Sequence, residues 1–306
     1  MTECERLIQE GVFSKDFFQE EVRCDFLVTT ERKKLWAIQI DLLLRLLEVC
    51  KRHDLRVYAL WGTLLGAVRH EGFIPWDDDI DVTMPREDYE KLWDYRDEFE
   101  APYFLQYPEK DGDFCFSFAK LRNSNTTQLS KHFIHRSFNS GVQIDIFPLD
   151  LWDSTAEDGE ACYQRIKELN IDNSNYLRQG YPNPDENMAK RIAQWSGRFP
   201  KENLAEIDGI ARRFQNNLEV DSLTPIVCTV YPLQKIVFPK EIFDDIEYRP
   251  FENILIPAPK ESVRFLEMQY GDWRVFPPVE KRGVWHADLI CDVDKPYISY
   301  TILKEE

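Results

Sequence analysis

The stretch that decides the fold is Trp61–Val82, which reads WGTLLGAVRHEGFIPWDDDIDV. The β-prone segment 56–60 stands directly before it, and residues 64–70 have the composition of two helical turns. Glu71-Gly72 marks a break, and the alternating residues 80–84 predict a second strand. The order strand, Gly-Thr turn, short helix and acidic strand therefore predicts a mixed α/β fold.

The acidic part of this stretch, Asp77-Asp-Asp-Ile-Asp81, places four carboxylates in five positions. Such a run is unfavourable unless a cation is present. In an extended strand Asp77, Asp79 and Asp81 would face one way and Asp78 the other. Hard oxygen ligands on one face suit Mg²⁺ or Mn²⁺. An exposed acidic turn or a calcium site that stiffens a loop is the alternative, although the run lacks the Gly and Glu of an EF-hand.

Neighbouring residues favour a phosphate-handling site. Gly62 would let backbone amides approach a phosphate, with the Thr63 hydroxyl beside them at the start of a helix. Asp145 stands alone in the apolar segment Val142-Gln-Ile-Asp-Ile-Phe147, where an unpaired carboxylate is costly to bury. Together these residues indicate a metal-dependent phosphoryl or nucleotidyl transferase.

Further elements extend the pattern to the rest of the chain. Apolar residues at helical spacing predict a long helix from Thr30, as its N-cap, to about His53. Helices are also predicted after Pro85, within 155–218 and from Pro259 to Gly271, and strands at 114–121, 141–147, 226–230 and 254–256. We therefore expect one α/β (α+β) domain over residues 1–306, with a small mixed sheet flanked by helices and an added helical segment at 155–225.

Composition excludes several classes of protein. The 306 residues include 38 Lys and Arg against 55 Asp and Glu, and the net charge of −17 argues against a non-specific nucleic-acid binder. No apolar run has the roughly 18 residues of a transmembrane segment, and the N-terminus lacks the pattern of a secretory signal. The seven Cys form no Cys-x-x-Cys pair, which favours reduced thiols in a cytoplasmic protein.

The decisive stretch resembles the signature of the LicD family, the bacterial phosphocholine transferases whose animal relatives include fukutin and fukutin-related protein. The resemblance continues in three further segments, which are Lys120–Thr126, Ile144–Asp150 and Tyr270–His286. It implies a nucleotidyltransferase-like fold and the transfer of phosphocholine from CDP-choline to a sugar hydroxyl of teichoic acid, lipopolysaccharide or capsule. The zinc-binding Cys cluster of the fukutin-related branch has no counterpart here.

The resemblance also implies roles for individual residues. Asp79 and Asp81 correspond to the family's Mg²⁺ (or Mn²⁺) ligands, with Asp77 as a helper. Asp145 corresponds to the third catalytic acid, which would also contact the metal and would orient or deprotonate the acceptor hydroxyl.

A second group of residues is predicted to contact the substrates, and each has a structural alternative. Gly62 and Thr63 would lie against the donor phosphates, or form a tight turn. Lys120 and Arg122 stand at i, i+2 on a strand and would reach a diphosphate, or form a solvated strand edge. The predicted substrate-binding residues are Gly62, Thr63, Lys120, Arg122, His286, Trp61 and Trp76. Five aromatic residues of the motif segments are candidates for a choline cage, although aromatic residues are mostly core: Trp61, Trp76, Tyr270, Trp273 and Trp285.

Two functional alternatives stay open at this stage. The cargo would be another CDP-linked alcohol phosphate, such as phosphoethanolamine, glycerol phosphate or ribitol phosphate, or the chain would be a non-catalytic metal-binding module. The expected partners are a CDP-alcohol and a glycan acceptor, which the helical segment 155–225 would bind. A lipid-linked acceptor would place the protein at the inner face of the membrane instead of free in the cytoplasm.

Overall fold

The computed structural model describes residues 1–182, 184–217, 219–283 and 289–301. Within these ranges eight α-helices are present, and none of the helices is both long and apolar enough to cross a membrane. The helices are α1 (Glu3–Gln9), α2 (Thr30–Arg52), α3 (Trp61–His70), α4 (Arg86–Leu92), α5 (Gly159–Leu177), α6 (Glu186–Ala193), α7 (Pro200–Ala211) and α8 (Ser262–Tyr270).

Thirteen strands lie in the same described ranges. They are β1 (Glu21–Arg23), β2 (Phe26–Val28), β3 (Tyr58–Ala59), β4 (Asp81–Pro85), β5 (Tyr103–Gln106), β6 (Ala119–Asn123), β7 (Thr127–Ser130), β8 (Val142–Trp152), β9 (Ser222–Thr224), β10 (Phe238–Pro239), β11 (Ile246–Phe251), β12 (Ile254–Pro259) and β13 (Leu289–Asp292).

The 11-residue strand β8 is the centre of a seven-stranded mixed sheet. It pairs antiparallel with β6 through its first half, parallel with β4 through its middle and antiparallel with β9 at its end. Strand β3 extends the sheet beyond β4, and β5 and β10 extend it beyond β6 and β9. The predicted mixed α/β fold class with a small sheet is therefore confirmed.

Helix α2 forms the main support of the sheet because its apolar residues share one face. Its N-cap is Thr29, whose hydroxyl accepts a hydrogen bond from the Arg32 amide, and not Thr30 as predicted. Leu42 and Leu46 are fully buried in the main core, together with Ile144 and Ile146 of β8. Burying these side chains fixes α2 against the strand that carries Asp145.

The predicted strand 226–230 is wrong, the predicted strand 114–121 is wrong in its first five residues, and both segments border the same cavity. Residues 226–230 form a turn and irregular chain, and residues 114–118 are irregular, with the strand starting only at Ala119. The side chain of Asn170 on α5 holds both segments, since Asn170 Nδ2 donates to the Val227 carbonyl and its Oδ1 accepts from Ser117 Oγ. Side-chain hydrogen bonds thus replace the ladder bonds that a strand would have made.

The helical segment between β8 and β9 comprises α5, α6 and α7, as predicted in outline. Its inner face meets a second apolar cluster, which consists of Phe114, Cys115, Phe138, Leu177 and Leu204. The buried Asn173 joins this cluster to the helices, because Asn173 Nδ2 donates to the Cys115 carbonyl and its Oδ1 accepts from Asn203. Helix α5 is thereby fixed opposite the open face of the sheet.

Candidate active site

A cavity of about 1210 Å³ lies between the sheet, the N-terminal turn of α3 and helix α5. Most of the predicted site residues line it, although they come from distant parts of the chain. They are Trp61, Gly62, Trp76, Asp77, Asp79, Asp81, Lys120, Arg122 and Asp145.

The parallel pairing of β4 with β8 brings two of the carboxylates side by side. Asp81 is the first residue of β4, and its register partner on β8 is Asp145. The Asp145 amide donates to the Ile80 carbonyl at 2.9 Å, which fixes this register at the point where the acidic stretch ends. Two acidic residues separated by 64 positions are thus neighbours on one sheet face.

Residues 77–80, here called the acidic loop, precede β4. They do not form the extended strand that was expected for the acidic run. Three donors at helical spacing on α2 hold this loop. Arg32 NH1 and Trp36 Nε1 donate to the Asp77 carbonyl at 2.7 and 3.1 Å, and Gln39 Nε2 donates to the Asp78 carbonyl at 2.8 Å. These contacts take the place of the strand partners that the loop lacks.

The alternation expected for the acidic residues is nevertheless present. Asp77, Asp79 and Asp81 line the cavity, whereas Asp78 is buried and borders a smaller cavity at the start of α2. The Asp81 amide also donates to Thr63 Oγ1 at 2.8 Å. Thr63 is buried and does not belong to the described cavity wall, so its hydroxyl positions the start of β4.

Gly62 is required by the carboxylate of Asp77. A Cβ atom at Gly62 would lie 2.6 Å from Asp77 Oδ2, which is closer than real Cβ contacts allow. Gly62 is the second residue of α3, whose N-cap Leu60 supplies no side-chain hydrogen bond. The residue between them, Trp61, has a φ of 41°, a strained conformation for a bulky residue. This turn leaves the amide end of α3 at the cavity.

The acidic residues repel one another in the absence of a cation. Burial, and then the charge of Asp79, raises the pKa of Asp77 well above its ordinary value. Burial, followed by the charges of Asp79 and Asp145, does the same to the pKa of Asp81. One carboxylate oxygen from each of Asp77, Asp78 and Asp79 lies within 4.8 Å of the other two. An all-oxygen donor set of this kind fits a divalent Mg²⁺ or Mn²⁺ ion.

Lys120 is the cationic partner of Asp145. Its Nζ atom lies 2.6 Å from Asp145 Oδ1, and its side chain is only 4% exposed. The rings of Phe116 and Phe118 lie 5.1 and 4.9 Å from the same ammonium group. Burial lowers the pKa of Lys120 in spite of Asp145. Lys120 is therefore a fixed part of the site and not a solvated strand edge.

Arg122, two residues further along β6, is also buried at the cavity. Its Nε atom donates to Gln106 Oε1 at 2.6 Å, and NH1 donates to the Gly141 carbonyl at 2.8 Å. Burial lowers the pKa of this guanidinium to about 10. Arg122 faces Gln143 across the β6–β8 ladder, so it adds positive charge beside the Lys120–Asp145 pair.

Aromatic rings surround the carboxylates. The Trp61 ring lies 5.5 Å from that of Tyr231, which lies 6.2 Å from that of Tyr270. On the other side of the cavity mouth, the Trp76 ring lies 6.2 Å from the Phe276 ring. Both predicted Trp therefore face the same space as the acidic residues.

Some predicted residues cannot be placed, and some cavity residues were missed. His286, with the neighbouring Trp285, lies outside the described residues. Gln143 lines the cavity two residues before Asp145, and the i, i+2 rule for strands was a signal that could have found it. Tyr231 was missed because it directly follows the predicted strand 226–230 and belongs to no motif.

Comparison with known proteins agrees with this geometry. Residues 54–173 match the family model described as "LicD/FKTN/FKRP, nucleotidyltransferase domain", and this range includes the cavity residues Asp77, Asp79, Asp81 and Asp145. The chain is therefore similar to the LicD family over these residues. The predicted resemblance to this family is thereby confirmed.

Individual relatives support the assignment over different lengths. The chain is 26% identical over 250 residues to "Lipopolysaccharide cholinephosphotransferase LicD" of Haemophilus influenzae, covering 78% of this chain and 89% of the relative. It is 29% identical over 103 residues to an uncharacterized protein of Rickettsia prowazekii, covering 34% of this chain and 35% of that protein. A 41-residue match to an uncharacterized protein of Rickettsia typhi is 46% identical and covers 13% of each chain.

Proposed function

We propose that this protein is a metal-dependent transferase that moves phosphocholine from CDP-choline to a sugar hydroxyl of a lipopolysaccharide-type glycan. The observation that carries the proposal is the convergence of Asp79, Asp81 and Asp145 in one cavity, with Asp77 beside them. The family match and the similarity to a lipopolysaccharide cholinephosphotransferase support the transferase class and the type of acceptor.

The acidic residues would hold Mg²⁺ or Mn²⁺, which neutralises phosphate charge when bound. Asp77, Asp79 and Asp81 would supply the main ligands, and Asp145 would complete the set from β8. The raised pKa values of Asp77 and Asp81 support this role, because a cation removes the repulsion that causes them.

The donor diphosphate would lie at the amide end of α3. Its first turn borders the cavity through Trp61 and Gly62 and has no side-chain cap, which favours an anion there. Lys120 and Arg122 would add positive charge from β6. These groups would hold the donor with its two phosphates next to the carboxylates.

The chemical step would use Asp145 as the base. Lys120 contacts Oδ1, so Oδ2 would both complete the metal ligand set and meet the acceptor hydroxyl. The acceptor oxygen forms a bond to the phosphorus of phosphocholine, the bond from that phosphorus to the CMP oxygen breaks, and CMP leaves. The hydroxyl proton passes to Asp145.

The aromatic rings favour choline over the alternative alcohols. A trimethylammonium group has no hydrogen to donate and is recognised by aromatic faces. Trp61, Tyr231 and Tyr270 form such a group of rings, and the charges of Asp77 and Asp81 act on both Tyr. A cationic head group would therefore meet both π-faces and negative charge.

Release of CMP and labelling of the glycan test the proposal. Purified protein is incubated with CDP-choline, Mg²⁺ and lipopolysaccharide, and Asp79→Asn and Asp145→Asn are compared with Asp245→Asn, whose carboxylate is 66% exposed in a surface ion pair. We expect both site variants to lose about a hundredfold or more of the rate and the surface variant to retain it. Equal rates in all four proteins would exclude this function and favour a non-catalytic metal-binding module.

A donor series separates choline from the other cargoes. CDP-choline is compared with CDP-ethanolamine, CDP-glycerol and CDP-ribitol at equal concentration. Preference for CDP-choline is expected from the aromatic rings, and preference for an uncharged alcohol would assign the chain to one of the alternatives.

A further inference from the structure

The mouth of the cavity carries a group of exposed apolar side chains, here called the rim, which consists of Val230 and residues 274–282. Val230, Val275 and Val279 are 80%, 66% and 59% exposed, and Phe276 is 37% exposed. Val230, Val275 and Phe276 also line the cavity. Single exposed apolar residues are ordinary, but a group around the mouth of a site indicates an interaction surface.

Two arginines hold the rim in place. Arg69 NH1 donates to the Trp273 carbonyl at 2.7 Å, and its guanidinium lies 4.9 Å from the Phe276 ring. Arg282 donates from Nε to the Pro277 carbonyl at 2.8 Å and from NH1 to the Cys24 carbonyl at 2.9 Å. The backbone is thus held at Trp273 and Pro277, on either side of Val275.

The charge of the rim differs from that of the chain. Residues 274–282 contain Arg274, Lys281 and Arg282 against Glu280, so their formal net charge is 3 − 1 = +2, whereas the whole chain carries −17; Arg274 lies 3.6 Å from Glu267 outside the rim. Apolar side chains beside basic ones are the combination that favours the interface of a bilayer with anionic lipids.

From these observations we infer that the rim docks on the lipid bilayer in which the acceptor is anchored. The inference rests on the proposed function, because a lipopolysaccharide-type acceptor carries its glycan on a lipid. Insertion of Val275 and Val279 among the head groups would bring the cavity mouth against the membrane surface. The glycan could then reach Asp145 while its lipid anchor stays in the bilayer.

Vesicle sedimentation tests the inference without any substrate. Vesicles of phosphatidylethanolamine with a minority of phosphatidylglycerol are mixed with wild type, with Val275→Ser/Val279→Ser and with the control Ile171→Ser/Leu255→Ser. The control residues are 50% and 59% exposed and lie on α5 and β12. We expect wild type and control to bind alike and the rim variant to bind roughly tenfold more weakly, since binding scales with buried apolar surface.

The single variant Val279→Asp provides a second measurement, because this position lies outside the described cavity wall and its charge should also weaken vesicle binding. No binding by wild type, or equal binding by wild type and both rim variants, would overturn the inference. A wild-type dimer in sedimentation velocity that the rim variants convert to a monomer, with no vesicle binding, would overturn it in favour of self-association.

Failure of this inference is distinguishable from failure of the proposed function. Transfer to detergent-solubilised lipopolysaccharide needs no bilayer, so wild type that releases CMP in that assay and ignores vesicles would retain the proposed function alone. Wild type that binds vesicles through the rim and never releases CMP would retain the docking surface alone.

Discussion

The structure allows the effect of Lys120→Met on the free energy of unfolding to be estimated most directly. Lys120 and Asp145 are 2.6 Å apart, with side chains 4% and 18% exposed. Removing one partner of a buried ion pair costs about 3 to 5 kcal/mol, because the remaining charge stays buried without compensation. Since Asp145 also borders the cavity, we expect the lower end, about 3 kcal/mol of unfolding free energy in metal-free protein.

Urea unfolding in the presence of a chelator measures this loss. Methionine keeps the length of the side chain against Phe116 and Phe118, so the variant tests mainly charge. The matched control is Lys260→Met, whose ion pair with Asp245 spans 2.9 Å on the surface and should leave the unfolding free energy nearly unchanged.

If the lost stability comes from the orphaned charge of Asp145, two changes should restore part of it. Adding Asp145→Asn to Lys120→Met removes the orphaned charge and should restore part of the lost stability. Mg²⁺ should stabilise Lys120→Met more than wild type, because the ion replaces the missing positive charge. If Lys120→Met unfolds at the same urea concentration as Lys260→Met, or if neither recovery occurs, the electrostatic description of the site is refuted.

Three further predictions follow from single contacts. Gly62→Ala should lower the transfer rate at least tenfold, because its Cβ would displace the Asp77 carboxylate. The control Gly209→Ala has open space around its Cβ and should leave the rate unchanged. The rates are compared by steady-state CMP release. Gln39→Leu should weaken Mn²⁺ binding several-fold in calorimetry, because it removes a hydrogen bond that holds the acidic loop. The circular dichroism spectrum should stay unchanged. An unchanged Mn²⁺ affinity would contradict the anchoring role of Gln39. Burial, and then the charge of Arg69, lowers the pKa of His70 from its ordinary 6.5 to about 4. The unfolded chain therefore binds an additional proton between these two pH values, and the free energy of unfolding should fall as the pH drops from about 6.5 to about 4. A His70→Gln variant that loses as much stability in acid, measured by urea unfolding, would show that His70 is not responsible.

The sequence predicted the helices of the site well because their signals are local. The apolar spacing of α2 and the Trp-Gly-Thr start of α3 correspond to real elements, although α3 begins at Trp61 and not at Leu64. The strand of Asp145 was also predicted, since its alternation reflects one buried face.

The parts that were missed depend on contacts between distant residues. The acidic loop looks like a strand in sequence, but donors from α2 such as Trp36 and Gln39 bind its carbonyls instead. Residues 226–230 have strand-like composition, yet Asn170 on α5 holds them as cavity wall. Local propensity cannot anticipate such hydrogen bonds, because their partners are brought close only by the complete fold.

The same distinction applies to the carboxylates. The sequence places Asp79 and Asp81 next to each other, whereas the proximity of Asp145 depends on the parallel β4–β8 register. The apolar context of Asp145 singled this residue out in the sequence, and the resemblance to the LicD family implied its role as the third catalytic acid. The position of Thr63 behind the cavity wall shows that a motif residue can serve the site by orienting its neighbour.

The most direct test of the account is the anomalous scattering of Mn²⁺ in crystals grown with CDP-choline. We predict a manganese peak bounded by the carboxylates of Asp79, Asp81 and Asp145, with the donor diphosphate on its open side. A fully occupied donor with no peak among these residues, or with manganese bound only elsewhere on the surface, would contradict the central claim.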